Sequence, residues 1–171
     1  MARKCCTALT KELPPAMVHP TLHGVIYCDY GATLGLLKQC TNAIEPFYES
    51  ISIHPTLVDN NSPSNYNLAH ALRNLGAAFN VLGKDDEAIV AYKDALKICT
   101  TMSTQDTQRY NELMAETLAN YCGSLVKLHR FSEAAAVAKQ GVSLCRHLAQ
   151  TGHECTRILC ECLHYYGGSS Y

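Results

Sequence analysis

The chain has 171 residues, of which 47% are apolar, and a formal charge of −1 at neutral pH. That composition excludes a disordered or collagen-like chain. The balanced charge, with no basic run longer than Arg3-Lys4, leaves no electrostatic footprint for a nucleic acid or an anionic membrane surface. Alanine and leucine outnumber valine and isoleucine by more than two to one. Unbranched side chains keep more rotamer freedom in a helix, so the expected class is all-α.

In chain order, the first expected element is Ala2 to Leu13, ended by Pro14-Pro15 because proline cannot continue a helix. Helix pairs are then expected near 24–37 and 42–53, 64–82 and 86–102, and 107–128 and 132–150, with a last helix beginning near 156. Residues 1 to 20 lack the apolar run of an export signal, and no stretch of 18 apolar residues occurs, so the chain reads as cytoplasmic. In that setting the ten cysteines are expected to be reduced and mostly buried as small apolar residues rather than paired.

The pairing of these helices comes from an internal repeat. Tyr27-Cys28-Asp29-Tyr30-Gly31, Leu72-Arg73-Asn74-Leu75-Gly76, Leu118-Ala119-Asn120-Tyr121-Cys122 and Leu163-His164-Tyr165-Tyr166-Gly167 align at a period of 45 or 46 residues. Three residues after each block come Leu34, Phe79, Leu125 and Ser170. Further on, Ala43, Ala88 and Ala134 share one register position, Phe47, Tyr92 and Ala138 the next, and Ser50, Ala95 and Gly141 a third. Large residues at i, i+3 and i+7 with a small one at i+4 make one buried stripe, and the small residue admits a second helix closely. Gly83 is the expected left-handed end of the first helix in the best copy, and Asp85 the expected N-cap of the second. The proline in Ala43-Ile44-Glu45-Pro46-Phe47-Tyr48 is expected close enough to a helix start to cost little. Such hairpins must stack to cover their apolar faces.

This pattern resembles the tetratricopeptide repeat, over roughly residues 24 to 168. The match is fullest at Leu72, Leu75, Gly76, Phe79, Ala88, Tyr92 and Ala95, and thinner in the third copy, where Cys122, Ala138 and Gly141 depart from the pattern. The long period and the segment around Pro46 are similar to the kinesin-light-chain type and to large fungal arrays attached to signalling NTPase domains. The resemblance implies a right-handed α-α superhelix of antiparallel helix pairs. It divides the chain into the end of a preceding repeat (1–23), three repeats (24–63, 64–109 and 110–155) and the first helix of a fourth (156–171). Because the register breaks off at both ends, the chain reads as a segment of a longer array, with self-association through uncapped ends.

The resemblance also implies a concave groove lined by the first helices. Its positions fall on Val25, Cys28, Ala32, Gly35 and Leu36, then His70, Arg73, Ala77, Asn80 and Val81, then Glu116, Ala119, Gly123, Val126 and Lys127. Asn74 and Asn120 share one register position and are similar to the asparagine ladder that grips a peptide backbone in light-chain-type grooves. An amide offers both a donor and an acceptor to an extended chain, although the same residues can equally bond neighbouring helices. The expected peptide- or partner-binding residues are therefore His70, Arg73, Asn74, Asn80, Glu116, Asn120 and Lys127. The carboxylate clamp of chaperone-binding relatives is missing, since its positions hold Cys28, Ala32, Ala77 and Glu116.

Other chemistry is thinly signalled. His153, Cys155, Cys160, Cys162 and His164 are a ligand-type cluster, and Cys160 and His164 share a helix face, but no Cys-x-x-Cys knuckle accompanies them. A zinc or thiol hydrolase at this end is the rival from the enzyme class, and a spacer that binds nothing is the other alternative. Ser124 and Ser169 follow glycines but lie within the repeat pattern, not in a nucleophile turn. Cys5-Cys6 is a lone lipidation-type pair, more simply read as part of a helix. The expectation is a protein-interaction scaffold with no catalytic residues, metal or cofactor.

Overall fold

The computed structural model describes residues 20–53, 64–102 and 107–151, together with Ile158, Cys160 and His164. The described residues form six helices: α1 (Pro20–Leu36), α2 (Cys40–Ile53), α3 (Ser64–Val81), α4 (Asp85–Met102), α5 (Thr107–Lys127) and α6 (Phe131–Gln150). They make three antiparallel pairs, the expected tetratricopeptide-like stack, and no strand occurs among the described residues. Among them no helix is long and apolar enough to cross a membrane. The expected helix at Ala2 to Leu13 and most of the fourth repeat lie outside the described residues.

The three hairpin turns are one structure repeated. Lys38, Gly83 and His129 sit at equivalent positions with φ of 59°, 72° and 57°. In each, the next residue's N–H closes back five residues: Gln39 to Leu34, Lys84 to Phe79 and Arg130 to Leu125, all 2.8–2.9 Å. This is the left-handed helix end in which two orphan carbonyls are satisfied at once. The residue that closes the turn also opens the next helix, because Gln39, Lys84 and Arg130 accept the first bonds from Ala43, Ala88 and Ala134. Lys84, not Asp85, is therefore the N-cap of α4. Asp85 is the first helical residue, where with Asp86 and Glu87 it suits the positive end of the helix dipole.

Pro46 is a second correction. The helix begins at Cys40, so proline stands seventh, beyond the turn whose N–H groups lack partners, and α2 forgoes one ladder bond to the Asn42 carbonyl. The buried ring contributes packing area in exchange.

Within each pair the helices meet at the small residue of the repeat. A Cβ on Gly31 would lie 2.7 Å from the Phe47 ring, and one on Gly76 2.5 Å from Tyr92. The third pair solves the same problem from the other side. Cys122 stands in the glycine position and Ala138 in the aromatic one, both fully buried, and the Cys122 thiol donates to the Ala134 carbonyl at 3.3 Å. These residues belong to a core that runs from α1 to α6, with Leu34, Phe79 and Leu125 at equivalent positions. A second cluster joins α3, α4 and α5 through Leu68, Ile98, Cys99, Met102 and Leu113.

Stacking decides which face is inner. The first helices touch in sequence, α1 to α3 and α3 to α5, whereas among the described residues no contact joins α2 to α4 or α4 to α6. First helices are thus crowded and second helices splayed, which puts α1, α3 and α5 on the inside of the curve.

Candidate functional site: the inner face of the first helices

The inner-face positions behave as one surface. Val25, Ala32, Gly35, Ala77, Gly123 and Val126 are half-buried, and an added Cβ at Gly35 meets nothing within 4 Å. At the rim, Leu36 and Val81 occupy one register position and are 86% and 69% exposed, with exposed Lys127 third in the row. Large aliphatic side chains left in water beside a floor of alanine and glycine are the least self-satisfied part of this face.

The polar residues are, by contrast, tied to one another. Arg73 donates from Nη2 to Glu116 of α5 at 2.5 Å and from Nη1 to the Asn74 amide oxygen at 2.8 Å. The Asn74 amide nitrogen faces the Cys28 sulfur of α1 at 3.6 Å and His70 Nδ1 at 3.5 Å, and Cys28 and His70 are 3.6 Å apart. At the other end of the face, Asn80 donates to Ser124 of α5 at 2.7 Å and to Asp85 at 3.0 Å. Lys127 donates to the backbone and side-chain oxygens of Asn80, which closes the C-terminal end of α3. Asp85 is also 3.7 Å from Lys127, an ion pair whose lysine is half exposed.

Six of the seven expected groove residues therefore lie in links between neighbouring helices: His70, Arg73, Asn74, Asn80, Glu116 and Lys127. The seventh, Asn120, is half-buried and has no side-chain hydrogen bond among the described residues. The two asparagines of the supposed ladder are thus unlike: Asn74 is engaged and Asn120 is available. Three juxtapositions carried no signal in the sequence. They are the Cys28–His70 pair, the Asn80–Ser124–Asp85–Lys127 cluster, and the Arg109 guanidinium 3.6 Å over the Tyr66 ring, which also stacks on His70. Apart from Asn80–Asp85 and the Tyr66–His70 stack, each joins residues about 40 or more apart, at a reach that periodicity does not encode.

Electrostatics keep the Cys28–His70 pair neutral. Burial pushes the Cys28 thiol up to about 11, and burial followed by the Arg73 charge pulls His70 below its ordinary 6.5. That is the reverse of a thiolate–imidazolium pair, in which the thiol is lowered to generate the nucleophile. The other buried thiols follow the same physics, Cys99 being pushed up to about 12 and Cys122 to about 11. Cys28, Cys40, Cys99, Cys122 and Cys145 are buried and in no disulfide, as small apolar residues would be, while Cys160, also in no disulfide, is exposed.

Among the described residues no three His, Cys, Asp or Glu side chains converge as metal ligands. Of the C-terminal cluster, His153, Cys155 and Cys162 lie outside the described residues. Cys160 and His164 are both exposed. Ser124 is fully buried and receives the Asn80 bond, a packing position and not a nucleophile at a surface. Ser169, Cys5 and Cys6 lie outside the described residues.

No family model and no curated protein matches the chain. Among solved structures it is similar to a Podosopora anserina protein described as a kinesin light chain with nearly identical TPR-like repeats. The identity is 13% and the TM-score 0.40, over 90% of this chain and 87% of that one. A single-substitution variant of the same protein gives the same figures.

Proposed function

We infer that the chain is a non-catalytic interaction scaffold whose inner face receives an extended peptide or a segment of a partner protein. The observation that carries this reading is the row of Leu36 and Val81, strongly exposed at one register beside the half-open floor of Ala32, Gly35, Ala77 and Gly123. An apolar ligand side chain would bury both aliphatics while the Asn120 amide bonds the ligand backbone. Arg73, Glu116, Asn80 and Lys127 set the spacing of the helices beneath that ligand. The three repeats at 24–63, 64–109 and 110–155 would each contribute one first helix to the groove, in a cytoplasmic setting.

Selection of peptides from a displayed random library against the folded chain tests the reading. The expected result is an enriched apolar motif whose binding is lost in Val81→Asp and weakened in Asn120→Ala, both variants retaining helical circular dichroism. Failure to enrich any motif, or a motif whose binding survives both substitutions, overturns it. The spacer alternative has its own support in the network that ties six of the seven polar residues to one another, and it is the reading that failure would leave standing.

A further inference from the structure

The junction of α1, α3 and α5 contains a hydrogen-bond relay whose direction is fixed by one residue. Arg73 has donors only, so the amide atom of Asn74 that it touches at 2.8 Å is the oxygen. The Asn74 NH₂ is therefore turned towards His70 Nδ1 at 3.5 Å and the Cys28 sulfur at 3.6 Å. With Nδ1 as the acceptor of this NH₂ group and of the Cys28 thiol, His70 is neutral with its proton on Nε2.

We propose that His70 is a proton-operated latch that holds α1 against α3 when neutral and loosens the α1–α3–α5 junction when protonated. A proton taken from water onto Nδ1 would place N–H against N–H at Asn74. Turning the amide over relieves that clash but sets the NH₂ against the Arg73 guanidinium, which is held on Glu116, so every arrangement loses at least one bond. The charged groups that face His70 are Asp29 from α1, Arg73 on its own helix, and Glu116 and Arg109 from α5, with the Cys28 thiol from α1 beside it; α2 and α4 present none among the described residues. The two anions and the two cations oppose each other, so no single charge is placed to hold the imidazolium. The inference concerns the helix junction and does not depend on what occupies the inner face.

Two measurements on the full chain test it. Nitrogen-15 spectra of the histidine rings of the unmodified protein at neutral pH are expected to show His70 as the Nε2–H tautomer, and a protonated Nδ1 would overturn the proposal. Lowering the pH from about 7.5 to about 5.5 is expected to reduce the thermal midpoint by about 3 °C more in the unmodified chain than in His70→Gln, whose side chain stays neutral. An equal fall in both would also overturn it. Asn74→Asp supplies an acceptor that pairs with imidazolium and with Arg73 alike, so His70 is expected to titrate above 6.5 in that variant. Titration left below that value would count against the relay even if His70→Gln failed to fold.

Discussion

The second and third hairpins fill one gap in different ways. In the second, Gly76 clears space for Tyr92, which is only 1% exposed; in the third, two small residues, Cys122 and Ala138, stand at the same positions and are both fully buried. The first hairpin, with Gly31 and Phe47, follows the second. What the repeat keeps at this contact is therefore the close, buried approach of two helices and not the identity of either residue: glycine against an aromatic ring and cysteine against alanine both fill it. The third copy matches the tetratricopeptide pattern poorly and still folds as a hairpin in which two of its departures, Cys122 and Ala138, are buried in one core.

The largest effect that would sharpen this comparison is Tyr92→Ala. Removing a buried aromatic beside a glycine leaves a cavity that nothing nearby fills, and the expected loss is about 3–5 kcal/mol of unfolding free energy by chemical denaturation. Gly76→Ala drives a methyl into the Tyr92 ring and should cost about 1–3 kcal/mol, whereas Gly35→Ala, where an added Cβ meets nothing within 4 Å, should be neutral or slightly stabilising. A smaller effect of the opposite sign is expected at the turns. Lys38 and His129 hold left-handed conformations that Gly83 adopts freely, so Lys38→Gly and His129→Gly should each raise stability by about 1 kcal/mol or less, while Gly83→Ala should lower it by a similar amount. Thermal unfolding of the three variants side by side would check the sign.

Much of this architecture was legible in the residues. The period, the six helices and the close approach at Gly31 and Gly76 follow from where small and large side chains recur. The left-handed turn was legible only at Gly83, because lysine and histidine reach that conformation through the surrounding turn and not by their own preference. Asp85 was misplaced by one residue because the left-handed residue at 83 hands the cap to Lys84, whose side chain carries no capping signature. Pro46 was misjudged because α2 starts earlier than the apolar pattern suggests, at a turn closed by backbone bonds. Inner-face positions could be read from register, but their partners could not. That Arg73 meets Glu116, or that Asn74 meets Cys28, depends on side-chain reach between helices more than 40 residues apart, which periodicity does not record.

The most direct test of this account is a double-mutant cycle in the third hairpin, with Ala138→Tyr, Cys122→Gly and the two combined. Ala138→Tyr alone should overpack the contact and cost about 1–3 kcal/mol, and Cys122→Gly alone should leave a void. Combined, they recreate the Gly76–Tyr92 contact. The account predicts a favourable coupling of about 1–3 kcal/mol, so that the double variant is more stable than Ala138→Tyr alone. Additive losses, with the double variant less stable than either single one, would contradict it.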